Sequence, residues 1–386
     1  MVTDRRTFLW RAAASVLALL AGRDLAALAA PGGEGVSCPP TGSTPLSFDG
    51  TPQVRIVGMG GAGANVVAQL AAAGVPGATL AVADTNVCPE LYIPGVPSLL
   101  LGPCMARGLG AGGSLDRGAK AAEESAKGLA ELVAGTDLVL ILAGLGGGTG
   151  GGAAPVLARL AREAGADVFA LVTLPFGFDG RRRLQTAVAA LTALREAVPV
   201  TIALPYQALF ATLAAYTVCR AFAALDDLLA ATARDLVEPL STPSLICLDH
   251  RDCLAVLAGG WCSLGWGRAA GEGSGIRAAQ AALAHPALTS PLAEAQGLIV
   301  HVRGGGGLAL HEVLQAAHTA VAAVHPDANV LCSARVDPSL QDDEAAVTLV
   351  ASSAGPPALG GVERGYEGEQ ADLTARLLSG IIHLLY

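Results

Sequence analysis

The sequence contains few charged and few aromatic side chains. Asp, Glu, Lys and Arg make up 15% of its 386 residues and Phe, Trp and Tyr make up 4%, whereas hydrophobic residues make up 52%. This length and composition favour a large core, with about two domains and buried parallel strands. The formal net charge of −9 disfavours general binding to nucleic acids or to anionic lipids.

Three further absences exclude classes of function. The eight cysteines include no C-x-x-C pair, which disfavours a metal site or a disulfide framework, and no metal ligands can be named from the sequence. No G-K-[ST] triplet occurs, so a Walker P-loop is excluded. Outside the extreme N-terminus no run of 18 apolar residues occurs, so no membrane-spanning helix is expected in the body of the protein.

The N-terminus resembles a targeting signal. Arg5 and Arg6 precede the apolar stretch 12–21 and the small residues Ala27-Leu28-Ala29, an arrangement typical of twin-arginine export. Two other interpretations remain open for residues 1–30: an uncleaved segment that tethers the protein to the inner face of a membrane, and an apolar extension without a targeting role. Residues 31–52 are rich in Pro, Gly and Ser and are expected to form a linker.

A glycine-rich loop at residues 144–152 is the most informative feature of the chain. Seven of its nine residues are glycine, an apolar run at 137–143 precedes it, and an apolar helical pattern at 153–161 follows it. A strand that leads through such a loop to a helix N-terminus directs several backbone N–H groups to one point, which suits a polyphosphate. A flexible linker is the alternative, but linkers are rarely flanked so closely by an apolar strand and an apolar helix.

From about residue 53 apolar strands alternate with helices, which indicates a mostly parallel sheet with ligands at the carboxyl ends of the strands. The predicted strands are 54–58, 80–83, 138–142, 168–173, 200–204, 297–302, 328–332 and 346–351, and the predicted helices are 65–73, 120–133, 153–164, 183–196, 213–237, 276–284 and 310–324. The long helix is expected to end before Pro239. The tail from 355 closes with an apolar helical pattern at 371–386.

Two more glycine loops lie at residues 58–64 and 107–113. The first satisfies the dinucleotide pattern G-x-G-x-x-G, with Asp84 one strand further on, so a Rossmann-type oxidoreductase remains an alternative. Such an enzyme does not need the other two glycine loops, which disfavours this alternative.

Taken together, these loops resemble those of the tubulin/FtsZ family of GTPases, and of its FtsZ branch in particular. The matching segments are 107–112, Gly146-Gly147-Gly148-Thr149-Gly150 and 175–183, and the resemblance extends from about Val54 to Ala351. It implies an α/β protein with a Rossmann-like, parallel-sheet GTP-binding domain at 53–212, a long central helix at 213–238 and a smaller α+β domain at 239–354. A variable tail follows at 355–386.

The resemblance also implies which residues bind GTP. They come from the three loops, from the segment after the 168–173 strand and from the long helix: Gly60, Gly61, Ala62, Gly63, Asn65, Gly110, Ala111, Gly112, Gly146, Gly147, Gly148, Thr149, Gly150, Asp179, Arg183, Phe222 and Asp227. Phe222 would stack on the base, and Asp227 would accept the N1–H and N2–H of guanine. Tyr206 and Gln207 stand where the family has an Asn-Asp pair. The segment 84–86 reads Asp-Thr-Asn where the family has Asn-Thr-Asp, which leaves its magnesium and phosphate contacts open.

The segment after the long helix resembles the family's catalytic loop. Asp249 and Asp252 keep its two carboxylates, which would orient the water that attacks the γ-phosphate of the neighbouring subunit's nucleotide. Cys247 replaces an Asn, and since a thiol is a weak hydrogen-bond donor, we expect weakened hydrolysis. The alternative is that both acids merely cap the next helix.

The resulting hypothesis is a GTPase that binds GTP or GDP with Mg²⁺ and assembles head to tail with copies of itself, and with other FtsZ subunits, in cell division. A GTP-dependent structural filament or regulator that does not hydrolyse GTP is the alternative. The expected location is the cytoplasm, at the division site or the inner membrane face, with membrane contact through the N-terminal segment; export through the twin-arginine signal is the competing interpretation.

Overall fold

A computed structural model describes residues 52–87, 92–241, 248–289 and 292–354, and within these ranges ten strands form one sheet. The strands are β1 (Val54–Met59), β2 (Ala78–Asp84), β3 (Ser98–Leu100), β4 (Leu138–Gly144), β5 (Asp167–Leu174), β6 (Val200–Pro205), β7 (Trp261–Ala270), β8 (Ala295–Gly304), β9 (Asn329–Val336) and β10 (Glu344–Ser353). The helices are α1 (Gly60–Ala73), α2 (Leu115–Glu124), α3 (Ala126–Val133), α4 (Gly148–Glu163), α5 (Arg181–Ala197), α6 (Phe210–Leu213), α7 (Val218–Ser241), α8 (His250–Leu257), α9 (Ser274–Leu283) and α10 (Leu310–Val321). The expected α/β fold with a mostly parallel sheet is confirmed.

The sheet has the order β3-β2-β1-β4-β5-β6-β7-β10-β8-β9. Its first six strands are parallel, in the order typical of doubly wound nucleotide-binding folds. A single parallel pair, Ile202 with Cys262, joins β6 to β7, after which β7, β10 and β8 are antiparallel and β9 is parallel to β8. Since the sheet runs on from one part to the other, the domain boundaries at 212 and 238 stay predictions.

Helices cover both faces of the parallel part of the sheet. Along β4, Leu140 and Leu142 belong to a core shared with α1 and α7, whereas Val139 and Ile141 belong to a core shared with α2 to α5. Successive side chains of a strand point to opposite faces, so a strand buried on both faces reads as a continuous apolar run. This accounts for the uninterrupted apolar run after Asp137.

Two helices begin earlier than predicted, within the glycine loops. α1 begins at Gly60 rather than at 65, and α4 begins at Gly148 rather than at 153. Close packing explains the glycines of α4, because a Cβ on Gly152 would lie 2.2 Å from the carbonyl oxygen of Leu115 in α2. The apolar pattern that predicted the later start reflects burial, whereas the helix itself starts where the glycines allow contact between backbones.

The prediction that the long helix ends before Pro239 is wrong. α7 runs through Pro239 to Ser241, and it begins at Val218 after the separate short helix α6. Proline interrupts one backbone hydrogen bond near the end of a helix. Buried Leu236, Val237 and Leu240 flank it, so apolar packing holds the last turn in place.

The apolar periodicity of the sequence did not predict strand β7 or helix α8. Glycines interrupt the apolar pattern of β7, and they are required there because a Cβ on Gly267 would lie 2.2 Å from the carbonyl oxygen of Ala278 in α9.

A buried ion-pair network connects α7 to this part of the sheet. Arg303 of β8 lies 2.9 Å from Asp235 of α7 and 2.8 Å from Asp337.

Candidate nucleotide-binding site

A cleft of about 640 Å³ opens at the carboxyl ends of β1, β4 and β5. This volume is within the range of small-molecule sites, and the crevice at the carboxyl ends of strands is where doubly wound sheets bind ligands. The sequence-predicted residues that line it are Gly60, Gly61, Ala62, Asn65, Ala111, Gly112, Gly147, Gly148, Thr149, Gly150, Asp179, Arg183 and Phe222. Residues from all three glycine loops therefore meet at one cleft.

The N-termini of α1 and α4 lie side by side in the cleft. A Cβ on Gly60 would lie only 3.2 Å from the backbone nitrogen of Gly150. No side chain caps either helix, and neither first turn contains an acidic residue. Their first N–H groups are thus available to a ligand, and the two helix dipoles together favour a polyanion.

Three of the predicted glycines do not line the cleft but support its loops. Gly63 packs against β4, where a Cβ would lie 2.3 Å from the carbonyl oxygen of Leu142. Gly146, at a φ of 99°, packs behind the phosphate loop against Arg183. Gly110, at a φ of 83°, donates its N–H to the carbonyl oxygen of Thr85. These three glycines therefore support the backbone conformation and packing of the loops.

Asp226, and not Asp227, lines the cleft. Asp226 is half-buried, whereas Asp227 is exposed and lies outside the lining. The reason is helical spacing: Phe222 and Asp226 are four residues apart on α7 and so share a face, which Asp227 leaves by about 100°. The structure therefore places Asp226 rather than the predicted Asp227 at the cleft, and the i, i+4 spacing from Phe222 is the signal that could have found Asp226.

Burial, together with the smaller effect of the negative charge of Asp227, raises the pKa of Asp226 to about 6. A carboxylate at this end of the cleft is thus costly while it is unpaired. A ligand that offers N–H donors would remove part of that cost, since donors favour the ionised form.

Aromatic rings form the wall beside Asp226. Phe176 stacks on Phe178 with ring centroids 4.9 Å apart, and it contacts Phe222 edge-on at 6.0 Å. Tyr206 lies 5.3 Å from Phe176, and burial raises its pKa to about 12. Phe176 and Tyr206 line the cleft although neither was among the predicted site residues. These faces offer a stacking surface for a planar base.

Gln207 has a structural role. Its side-chain oxygen accepts the N–H of Gly177 at 2.9 Å, and it does not line the cleft. Asp179 accepts the N–H of Phe176 at 2.9 Å, and its carboxylate lies 3.9 Å from Arg183. The segment between β5 and α5 is therefore held by its own side chains, with Asp179 and Arg183 at the edge of the cleft.

Asp84 and Asn86 also line the cleft, next to residues of the glycine loop at 144–152. Burial raises the pKa of Asp84, although its carboxylate accepts the N–H groups of Thr85 and Asn86. The hydroxyl groups of Thr85 and Thr149 lie 2.6 Å apart and connect this strand end to α4. The sequence of this segment, 84–86, left its magnesium and phosphate contacts open.

The oxygen donors here fit one type of metal site. No group of three His, Cys, Asp or Glu side chains that could hold a metal ion occurs among the residues that the structure describes. One carboxylate, Asp84, with the amide of Asn86 and the hydroxyl of Thr149, suits Mg²⁺ that is bound chiefly through the phosphates of a nucleotide. A metal site made of protein ligands alone does not fit this arrangement.

The two acids of the predicted catalytic loop lie away from the cleft. Asp249 caps α8 by accepting the N–H of Arg251 at 2.8 Å, and Asp252 is exposed in the first turn of the same helix. Asp249 adjoins His250, which contacts Asp167 at the amino end of β5, whereas Thr173 near the other end of that strand lines the cleft. Six residues of extended chain correspond to roughly 20 Å, so these acids and the cleft are at opposite ends of the sheet. Cys247 lies outside the described residues.

Membrane contact is not tested by this part of the chain. Among the described helices, none has the length and apolar character needed to cross a bilayer. Residues 1–30, the linker up to residue 51 and the tail from 355 lie outside the described residues, as do the predictions made for them.

Comparisons with known proteins agree with this architecture. Residues 53–214 match the GTPase domain of the Tubulin/FtsZ family, and residues 260–354 match the C-terminal domain of the FtsZ family. The chain is 34% identical to cell division protein FtsZ 1 of Archaeoglobus fulgidus over 314 residues, which cover 81% of this chain and 85% of that protein.

Solved structures show the same similarity. An FtsZ dimer in its empty form from M. jannaschii superposes with a TM-score of 0.75 at 32% identity, over 78% of this chain and 88% of that one. CetZ2 from Haloferax volcanii, in a GTPγS-bound protofilament, superposes with a TM-score of 0.68 at 18% identity, over 84% of this chain and 99% of that one. The second match shows similarity of fold alone.

Proposed function

Because the chain belongs to the tubulin/FtsZ family, we propose that it binds GTP, assembles head to tail into filaments and hydrolyses GTP between subunits, in cell division. The observation that carries this proposal is the cleft in which two uncapped helix N-termini, those of α1 and α4, adjoin. Such a pair suits a polyphosphate and requires no lysine.

The nucleotide would lie with its phosphates at α1 and α4 and its base beside Phe222 and Asp226. An ionised Asp226 can accept both the N1–H and the N2–H of guanine in charge-assisted hydrogen bonds. Adenine offers an acceptor at N1, which would leave the carboxylate unpaired. The selectivity for GTP therefore resides in Asp226 rather than in Gln207, which is engaged by Gly177.

Magnesium would supply charge neutralisation at the phosphates, and Asp84 and Asn86 are the residues that would hold it. Asp84 is buried beside the phosphate loop, where an uncompensated carboxylate would repel a triphosphate. This chain's own contribution at that point is an oxygen ligand and a chain of hydroxyl groups, Thr85 and Thr149, that orients it.

Hydrolysis would occur in trans. Asp249 and Asp252 lie at the opposite end of the sheet from the cleft of their own subunit, so they can reach a nucleotide only in a neighbouring copy. Head-to-tail contact would bring these carboxylates to the cleft of the next subunit, where they orient the attacking water. The cap that Asp249 provides for α8 is compatible with this role, because its side chain remains exposed.

A second candidate function follows from Cys247. If the thiol there fails to replace an amide hydrogen bond, the protein would bind GTP and assemble with itself or with other FtsZ subunits but would hydrolyse slowly. We propose the hydrolysing function first, because both carboxylates of the loop are retained.

Sedimentation of protein that lacks residues 1–30, with GTP, with GDP or without nucleotide, tests assembly, and phosphate release in the same samples tests hydrolysis. GTP-dependent pelleting with phosphate release supports the first function. Pelleting without phosphate release supports the second, and equal binding of GTP and ATP in the absence of any pelleting would contradict both.

For location, we propose the cytoplasm or the inner membrane face near the division site, with residues 1–30 retained. The reason is the GTP site, which needs a compartment that supplies nucleoside triphosphate. N-terminal sequencing of the protein from fractionated cells tests this proposal, and a mature form that begins near Ala30 outside the cytoplasm would contradict it.

A further inference from the structure

His250 lies between two carboxylates at the start of α8. Its Nε2 atom is 3.2 Å from Oδ2 of Asp167, the first residue of β5, and its Nδ1 atom is 3.7 Å from Oδ1 of Asp249. The imidazole is largely buried, with 17% of its side-chain surface exposed, whereas the side chain of Asp249 is 62% exposed. His250 thus connects an exposed acid of the proposed catalytic loop to the amino end of β5, a strand in the interior of the sheet.

Helix α8 packs on the hydrophobic core along one side. Cys253, Val256 and Leu257 are buried on one side of the helix. On the side toward β5, an open surface cleft of about 460 Å³ lies between the helix and the strand end and is lined by Asp167, Leu254 and other residues. Where side chains do not fill the space between two elements, packing contributes less to their alignment. On this side, the contact between His250 and Asp167 connects the start of α8 to the start of β5.

Leu248, two residues before His250, attaches the described part of this loop to the fold both through its side chain, which packs against the hydrophobic core, and through its backbone. The N–H of Leu248 is 3.3 Å from the carbonyl oxygen of Pro239 in α7. This bond sets the position of the chain but not the direction of the Asp249 side chain. That carboxylate accepts the N–H of Arg251 at 2.8 Å, and the imidazole of His250 lies beside it, with Nδ1 3.7 Å from Oδ1.

We propose that His250 is a positioning residue: by bridging Asp167 and Asp249, it holds the Asp249 carboxylate in the orientation required at the next subunit's nucleotide. This inference rests on the proposed function for its effect on turnover. Its structural part, the attachment of the loop to β5, stands independently. Neither the family match nor the spacing of Asp249 and Asp252 assigns a role to the residues between them.

The experiment compares His250→Phe and Asp167→Asn with a matched control, His311→Phe. His311 is an exposed histidine on α10, outside the cleft and outside α8. Amide hydrogen exchange of the peptide that spans residues 248–257 is measured in the full chain without nucleotide. GTP binding, sedimentation and phosphate release are measured in parallel.

We expect exchange of this peptide to rise about threefold or more in both bridge variants, because local opening becomes easier, and to stay unchanged in the control. Turnover per sedimented subunit should fall about tenfold, since displacement of a positioned group by about 1 Å can cost as much as a hundredfold. GTP affinity should not change. His250→Gln, which retains a donor near the position of Nε2, should recover most of the turnover.

The double variant distinguishes a bridge from two separate roles. If His250 and Asp167 act through each other, the double variant should lose no more turnover than either single variant. Additive losses, or unchanged exchange in both single variants, would overturn the proposal. If the parent protein binds GTP and sediments but releases no phosphate, the proposed hydrolysis is wrong, and the exchange measurement alone decides whether His250 holds the loop.

Discussion

Replacement of Asp226 by alanine should remove the preference of this protein for GTP. Asp226 is the half-buried carboxylate that lines the cleft one helical turn after Phe222. Its neighbour Asp227 has the same chemistry but is exposed and does not line the cleft. Asp227→Ala is therefore a matched control that changes the net charge equally.

The size of the effect follows from the two hydrogen bonds that an ionised Asp226 can accept from guanine. Each charge-assisted bond contributes at least about 1.5 kcal/mol, so their loss costs about 3 kcal/mol, or about a hundredfold in affinity. Affinity for ATP should not fall, because adenine cannot donate at N1. Asp227→Ala should change either affinity by less than about twofold, as an exposed charge some distance from the base contributes little.

The pH dependence gives a second test of the same residue. Burial raises the pKa of Asp226 to about 6, and guanine binds the ionised form. Selectivity is thus complete above that pKa and is lost as the pH falls through it, with the ratio of ATP to GTP dissociation constants declining about tenfold per pH unit. The ratio of the two dissociation constants is measured because both ligands carry a triphosphate, whose own protonation also changes with pH and affects both constants alike.

Competition binding with a fluorescent GTP analogue, between pH 5 and pH 8, measures these quantities. The parent protein and Asp227→Ala should show the decline in selectivity, and Asp226→Asn should show no decline. A selectivity that survives in Asp226→Ala, or that is lost in Asp227→Ala, would refute the assignment of the base contact.

Three other predictions concern hydrolysis and folding. Asp252→Ala should bind GTP and sediment normally, while its phosphate release falls by a factor of about 10²–10⁴. In the parent protein, the rate of phosphate release should rise more steeply than the protein concentration. A rate strictly proportional to concentration would argue against a site shared between subunits. Cys247→Asn should raise phosphate release in the same assay, because an amide donates a stronger hydrogen bond than a thiol, and an unchanged rate would mean that this position does not limit turnover. Gly118→Ala should lower the free energy of unfolding by about 1–3 kcal/mol in denaturant titration, since its Cβ would lie 2.0 Å from the carbonyl oxygen of Gly148; Gly128→Ala, whose Cβ would meet only the flexible end of Leu99 at 3.0 Å, is the control and should cost much less.

Local sequence patterns determined the parallel part of the fold. The apolar runs at 54–58 and 138–142 predict strands, and each is followed by glycines and a helical pattern. These signals are local, because strand period, helix period and the conformational freedom of glycine depend on neighbouring residues. For the same reason the three glycine loops could be predicted to bind phosphate before any contact between them was known.

Some features were present in the sequence but were misinterpreted. The i, i+4 relation of Phe222 to Asp226 identifies the acid on the cleft side of α7, yet alignment with the family motif favoured Asp227. Pro239 predicts the end of a helix, whereas α7 continues to Ser241 because flanking apolar residues are buried. Here a local propensity of a few kcal/mol competes with tertiary packing of similar size.

Only the tertiary structure decided where the proposed catalytic acids lie. Asp249 and Asp252 are about 100 residues beyond the phosphate loop, and their sequence does not say whether they face it. Strand β5, with Asp167 at one end and Thr173 at the other, puts the two sites at opposite ends of the sheet. The same applies to the glycines of β7, which interrupt an apolar pattern yet fit against α9. Such positions depend on which segments pack together in space. Packing contacts join residues that are far apart in the sequence, so no local sequence pattern determines them.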